Sequence, residues 1–339
     1  MIRGQVTLAH GNGGRLTRRL ITEIFVPHLS NPALDVDTDA AAVRINGGEL
    51  LMTTDSFTVQ PLEFPGGDIG SLAVHGTVND MAVAGGVPLY ISLNVVIEEG
   101  FELARLERIA ASLGNTARAC GVAVVCGDTK VVPRGHGGGL YLSTTGVGYR
   151  VASSELGPQA IREGDAILIS GPPGEHGTAV LLAREEFDLR APVISDSASV
   201  LPLTQALADL PGLRFMRDPT RGGLATVAAD IARITGRNVE LDQSRIPTNV
   251  QVEAICDMLG FEMLHLACEG RVMAVIEAEQ SRRALELWRQ FPGGADAAII
   301  GRVTALDDPR DSPMVVLRTA VGGERVLEEL EHDPLPRIC

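Results

Sequence analysis

Lysine is almost missing from this chain, and large aromatic side chains are scarce. Of its 29 basic residues one is lysine, Lys130 in "GDTKVV", and the other 28 are arginine. Aromatic residues make up 4% of the 339, beside 38 glycines and 19 prolines, so the 45% that is hydrophobic must pack as small side chains around sharp turns. That length suits about two domains, each with its own core. No window approaches the ~18 apolar residues of a membrane span, and "MIRGQVTLAHGNGG" lacks the apolar stretch of a signal peptide. No basic patch offsets the net charge of −14, so a nucleic acid or an anionic membrane is repelled. These absences predict a cytoplasmic protein. Internal repeats and low-complexity segments are missing as well.

Zinc-type cysteine pairing is also lacking. Cys120, Cys126, Cys256, Cys268 and Cys339 are irregularly spaced, with no CxxC pair. In a reducing compartment they stay thiols. Four sit in apolar contexts such as "ACGVAVVCGD" and "HLACEG" and read as small buried hydrophobes. Cys339 differs, because the sequence ends on it in "PLPRIC". A prenylation box needs its cysteine fourth from the end, so lipidation does not account for this one. His176 in "GEHG" and His136 in "RGHGGG" read as loop histidines, since no second ligand stands at zinc spacing.

The first 150 residues read as one α/β unit. "GELLMTTDSFTV" is a strand running into a polar loop. "DIGSLAVHGTVNDMAVAGG" is a helix with Asp68 as N-cap, Ile69, Leu72, Ala73 and Gly76 on one face, and Gly85 beyond its end. "FELARLERIAASLGNTARACG" is a second helix, followed by a buried strand "VAVVCGDTKVV" and then "GLYLSTTGVGY". Polar "SSELGPQAIREGD" marks a linker. Beyond it come the strand "AILISG", the loop "PPGEHG", a helix from about Thr178, and a later helix "GGLATVAADIARITG" with Leu224, Val227, Ala228, Ile231 and Ile234 at helical spacing. Such mixed runs predict an α/β or α+β pair of layers.

A P-loop is excluded, because Lys130 follows Thr129 rather than preceding Ser or Thr after glycine. Any nucleotide must be held by other means. Asp35, Asp37, Asp39, Asp55, Asp80, Asp128 and Asp218 fall at strand ends or in loops. Each alone reads equally as a cap or turn residue; together they offer the oxygens that magnesium takes alongside phosphate. The "HGNGG" cluster, with Gly13 and Gly14, is either a backbone cradle for an anion or a flexible arm. "DPTRGG" precedes a helix, so its amides and Arg221 face whatever anion sits at the positive helix end. Lysine, unlike arginine, is compact and can lose its proton, which makes Lys130 a candidate for a catalytic pocket.

Taken together, "DTDAAAV", "TTDSFTVQPLEFPGGDIGSLAVHGTVNDMAVAGGVP", "CGDTKVV", "DPTRGGLA", "ACEG" and "PRIC" closely resemble the HypE family of hydrogenase maturation proteins. That family lies in the ATP-binding superfamily of aminoimidazole ribonucleotide synthetase and selenophosphate synthetase. The resemblance covers nearly the whole chain, and the "PRIC" ending narrows it to the HypE branch. It implies a two-domain fold of the aminoimidazole ribonucleotide synthetase type, with an α/β N-terminal domain (1–150) that dimerises through its sheet and an α+β C-terminal domain (151–332). Residues 333–339 are then a mobile tail, which fully extended spans roughly 23 Å. ATP and Mg2+ are the implied cofactors.

The implied reaction places a carbamoyl group from the carbamoyltransferase HypF on Cys339 and dehydrates it with ATP to a thiocyanate. The cyanide then passes to iron on the HypC–HypD scaffold for nickel–iron hydrogenases. The resemblance gives Asp39, Asp55, Asp80 and Asp218 as metal-binding positions, with Asp128, Gly13, Gly14 and Arg221 as further ATP-site residues. It gives Glu269 as general base, with Lys130 a candidate to stabilise charge or relay a proton. The loops "PPGEHG" and "RGHGGG" look divergent and outside the chemistry. One rival is a sister enzyme making a purine intermediate or selenophosphate; the latter usually carries its reactive cysteine near the N-terminus, where this chain has none. Another is a nickel or iron carrier using Cys339 and His332, two donors too few for a persuasive site.

Overall fold

A computed structural model of the chain describes residues 4–7, 10, 19–32, 34, 49–151, 156–184, 189–306, 308, 310–330, 335, 338 and 339. Asp39, Gly13 and Gly14 lie outside the described residues, as does most of the tail. The chain divides into two compact units. The first comprises Met1–Met81, Gly86–Arg150 and Cys339; the second comprises Ala82–Gly85 and Val151–Ile338. Among the described residues no helix is long and apolar enough to cross a membrane.

The first unit is built on a four-stranded sheet of β1 (Leu50–Phe57), β4 (Gly86–Glu98), β5 (Ala123–Val132) and β6 (Leu140–Arg150), in the order β1-β6-β4-β5. Its pairs are antiparallel except β4 with β5. A two-stranded ribbon, β2 (Glu63–Phe64) with β3 (Gly67–Asp68), leads into helix Ile69–Val83. Asp68 caps that helix as the sequence predicts, its Oδ1 accepting from the amides of Gly70 and Ser71 at 2.8 and 2.9 Å. Gly85 follows with φ 78°, the left-handed conformation a helix stop requires. The helix is buried on more than the single face expected, with Val74, Thr77, Val78 and Asn79 enclosed as well. A Cβ on Gly70 would lie 2.5 Å from the carbonyl oxygen of Ile109, in the neighbouring helix Leu103–Ala119. The missing side chain is what lets the two helices cross so closely.

The sheet's two faces differ. Along β4, Ile91, Leu93, Val95 and Ile97 are buried, while Ser92, Asn94 and Val96 between them are not. The open face continues across β1, where Leu50 and Met52 are 49% and 66% exposed. Strand β5 belongs to this pattern and is not the buried strand its apolar run suggests. It is an edge strand, and Gly127, Asp128 and Lys130 are exposed.

The second unit holds a seven-stranded sheet of order β13-β12-β9-β11-β7-β10-β8. Its strands are β7 (Ala166–Ile169), β8 (Leu213–Arg217), β9 (Asn238–Asp242), β10 (Met273–Ile276), β11 (Ala298–Thr304), β12 (Val315–Arg318) and β13 (Glu324–Val326), antiparallel except β9 with β12. Apolar runs "AILI" and "MAVI" in β7 and β10 serve two cores at once, because successive side chains point to opposite faces. Ile167, Ile169, Met273 and Val275 pack with Leu224, Val227, Ala228 and Ile231 of helix Gly223–Thr235. Ile234, expected on that buried face, is 41% exposed. Ala166, Leu168, Ala274 and Ile276 pack on the other side with Leu203 and Leu207 of helix Leu201–Leu207 and with Ala284 and Trp288 of helix Ser281–Trp288.

Trp288, the only tryptophan, is fully buried and donates its indole N–H to the Leu203 carbonyl at 3.0 Å. Trp288→Ala removes the largest side chain of that core and leaves the carbonyl without this donor. It is expected to cost about 3–5 kcal/mol in urea unfolding; a loss under about 1 kcal/mol would show that the layer repacks around the gap.

Candidate functional site

In the first unit the structure brings Asp55 and Asp80 to the same side of the sheet. The Thr53 hydroxyl on β1 donates to Asp80 Oδ2 at 2.6 Å, tying the strand to helix Ile69–Val83. Asp55 lies two residues along the strand and therefore shares the helix-covered face. A Cβ on Gly76, one turn before Asp80, would sit 2.9 Å from Phe57 and 3.7 Å from Asp55 Oδ2. Glycine at 76 thus admits the carboxylate to the helix. Two carboxylates on one strand–helix pair fit a magnesium ion that takes its remaining ligands from phosphates and water. Among the described residues no group of three or more His, Cys, Asp or Glu is placed to hold a metal.

Asp128 and Lys130 are elsewhere. Asp128 is in register with Asn94, Asn94 with Ser143, and Ser143 with Ser56, so Asp128 points to the open face, opposite to Asp55. Three strand spacings, about 14 Å, also separate β5 from β1. Lys130 pairs with Asp128 at 3.4 Å, and the two side chains are 67% and 60% exposed. Within one chain this pair is therefore distinct from the Asp55–Asp80 pair.

In the second unit, "DPTRGG" and "ACEG" are laced together. Asp218, buried, follows β8, and the Pro219 carbonyl accepts from the Cys268 amide at 3.0 Å. Gly222 and Gly223 have φ 72° and 59°. A Cβ on Gly223 would fall 2.5 and 2.6 Å from the carbonyl oxygens of Leu264 and Leu266, so the start of helix Gly223–Thr235 can approach that turn only without a side chain. Arg221 is exposed at this helix start, where the sequence places it.

Glu269 is 2% exposed. Its amide donates to Asp196 Oδ1 at 3.2 Å, and the same oxygen accepts from the His176 amide at 3.1 Å. Asp196 is itself enclosed. Burial pushes its carboxyl above the usual range, and Arg271, with Nε 3.5 Å from Oδ2, opposes that shift. Arg271 also pairs with Glu175, which accepts from Asn249 at 2.8 Å. A Cβ on Gly270 would lie 1.8 Å from the Asp196 carbonyl oxygen, which explains the glycine of "ACEG". Cys268 is fully buried, as its apolar context predicts, and burial pushes its thiol well above the ordinary value.

Several residues here escape a reading of the sequence. Asp196 sits in "ISDSAS", a polar island between apolar stretches, which is the signal a close reader could use. His136 is an exposed turn residue, as expected of a loop histidine. His176 is not one. The helix begins at Glu175 rather than near Thr178, and it takes His176 fully into the interior. Its Nδ1 lies 2.8 Å from Ser195 Oγ and its Nε2 2.8 Å from the carbonyl oxygen of Ile338, and burial lowers its pKa to about 4. The loop "PPGEHG" that looks divergent is thus part of the polar interior. The chain end also differs from a free arm: Leu335 and Ile338 are buried, at 5% and 2% exposure. In the first unit, the Cys339 carbonyl oxygen accepts from the Thr58 amide and hydroxyl at 2.9 and 3.1 Å.

Residues 37–149 match the family model for the AIR synthase related protein, N-terminal domain, and residues 162–311 that for its C-terminal domain. The carbamoyl dehydratase HypE of Cupriavidus necator is 45% identical over 338 residues, which is 99% of this chain and 95% of the relative. A crystal structure of the hydrogenase maturation protein HypE in complex with ATP superposes with a TM-score of 0.93 at 42% identity, covering 98% of this chain and 99% of that one. A chain of a HypE–HypF complex superposes with a TM-score of 0.79 at 38% identity, covering 92% and 99%. On two matched domains and near full-length correspondence, the chain belongs to the HypE carbamoyl dehydratase family of hydrogenase maturation proteins, in the two-domain AIR synthase related fold.

Proposed function

We propose that this chain dehydrates an S-carbamoyl group carried on Cys339 to a thiocyanate, using ATP, and so supplies the cyanide ligands of a nickel–iron hydrogenase. What supports the reading most is the nearly full-length similarity to HypE carbamoyl dehydratases, together with a cysteine at the last position of this sequence. A relative crystallised with ATP supports nucleotide use. Another, solved as a HypE–HypF complex, supports a carbamoyltransferase as donor. The HypC–HypD iron scaffold is the proposed acceptor.

The chemistry sets the roles. Converting S–C(=O)–NH2 to S–C≡N breaks a C–O bond whose oxygen leaves poorly. ATP supplies a phosphoryl group to that oxygen, so phosphate leaves instead; the sum is carbamoyl thioester plus ATP giving thiocyanate, ADP, phosphate and one proton. Magnesium, proposed to rest on Asp39, Asp55, Asp80 and Asp218, would neutralise phosphate charge. Asp128, Gly13, Gly14 and Arg221 are assigned to the nucleotide. The nitrogen must lose both its protons, one ending on phosphate and one free in the sum above; Glu269 accepts them as base, and its backbone is held by Asp196. Lys130 stabilises charge on the phosphorylated oxygen or relays a proton.

Lys130 stands on the sheet face that also carries Leu50, Met52 and Val96, which no layer covers among the described residues of the first unit. That asymmetry supports a homodimer formed through this face. The roles proposed for Lys130 and Asp128 then belong to the dimer, since alone the pair is a solvated surface ion pair.

The direct test is the mass of the C-terminal peptide after incubation with HypF, carbamoyl phosphate and ATP. A gained carbamoyl group that then loses water is expected, and a peptide of unchanged mass refutes the reading. Glu269→Gln keeps shape but not basicity, so carbamoylated Cys339 should accumulate while thiocyanate formation slows ~10²-fold or more. Lys130→Arg keeps charge but blocks proton loss, and is expected to leave a folded dimer with little dehydration; parental turnover would remove Lys130 from the mechanism. Met52→Glu places a charge on the open face and should shift light-scattering mass from dimer to monomer, whereas an unchanged dimer would put the interface elsewhere.

A further inference from the structure

We propose that His176 and Ser195 form a latch that seats the chain end by its backbone, one residue before the reactive thiol. They act as positioning residues for the reaction proposed above, on which this inference rests. The hydrogen bonds run in one direction. The carbonyl oxygen of Ile338 can only accept, so the His176 Nε2 at 2.8 Å must carry the proton. Nδ1 is then the acceptor, and the Ser195 hydroxyl at 2.8 Å donates to it. Ser195 Oγ in turn accepts from the Ser197 amide at 3.0 Å. Each step fixes the next, from a backbone amide through a hydroxyl to an imidazole and on to the tail. The ring is neutral near neutral pH, because burial lowers its pKa to about 4, so the tautomer is not disturbed by protonation there.

Two further observations tie the latch to the chemistry. The seat is shaped as well as polar, since Ile338 and Leu335, three residues apart, are both buried. Asp196, between the two serines of the latch, receives the amides of both His176 and Glu269 on one oxygen. One carboxylate thus sets the latch and the proposed base in register with each other. A histidine serving the interior alone would spend its N–H on an internal group. This one spends it on the main chain of the penultimate residue, which lies outside any helix or strand.

The test uses the full chain and reads tail docking without needing the reaction. Alkylation of Cys339 by iodoacetamide is followed by the mass of the C-terminal peptide, beside hydrogen–deuterium exchange of the last residues. His176→Leu removes the donor and should raise the alkylation rate roughly tenfold, in keeping with one lost hydrogen bond at a buried site. It should also slow dehydration of a tail already carbamoylated. His176→Gln retains a side-chain N–H and should restore much of the docking. Ser195→Ala deletes only a hydroxyl and should expose the tail several-fold; it decides the matter if His176→Leu does not fold. Alkylation and exchange at parental rates in Ser195→Ala and in a folded His176→Leu would overturn the latch even if dehydration were lost. A parental tail that docks as described but never gains a carbamoyl group would instead overturn the proposed function.

Discussion

Asp196 is a carboxylate with no solvent, enclosed between Ser195 and Ser197, and the arrangement of the second unit's polar interior follows from satisfying it. One oxygen takes two amides, from the start of a helix and from the "ACEG" turn; the other faces Arg271. Burial pushes its carboxyl above the usual range, and the guanidinium opposes that shift. Because Arg271 also reaches Glu175 and the Pro172 carbonyl, one cation holds three segments that are far apart in sequence. Removing one member leaves the others as buried charges without compensation, which is why such a cluster specifies geometry more than it adds stability.

The first unit solves a different problem with simpler means. Its sheet is covered on one side by helices whose close crossing depends on glycine, and its other side keeps apolar residues outward on β1. The two candidate groups of the sequence fall on opposite sides of this sheet. Asp55 and Asp80 face the helix; Asp128 and Lys130 face outward with the apolar positions. A chemistry that needs both groups therefore needs something beyond one copy of the unit.

Much of this was legible in the sequence, and the exceptions have physical reasons. Helix Ile69–Val83 was marked by its aspartate cap and terminal glycine, local signals that tertiary packing does not erase. The apolar run "AILISG" correctly announced strand β7, while β10, an equally apolar run of four, was not singled out. Strand β5 misled because an edge strand on an open face looks, residue by residue, like a buried one. His176 misled for the opposite reason: among glycines and prolines it resembled a loop, and the partners that bury it are 19 and 162 residues away. Asp218 stood out among the carboxylates, but Glu269 was recognised only through resemblance, since the contact between their turns is set by the Cys268–Pro219 hydrogen bond across the fold.

The hydrogen bonds described for the last two residues fall on carbonyl oxygens, and the buried side chain there is isoleucine. The latch proposed on the Ile338 carbonyl takes hold of main chain, one residue before the sulfur. The thiol, thiocarbamate and thiocyanate forms of the proposed reaction would present that latch with identical main chain, and a site that binds two states equally cannot shift the balance between them. A latch on the main chain would therefore be indifferent to the group the sulfur carries. In the cycle proposed above, direction would then come from elsewhere: from the consumption of ATP and from partners that each take one form of the sulfur.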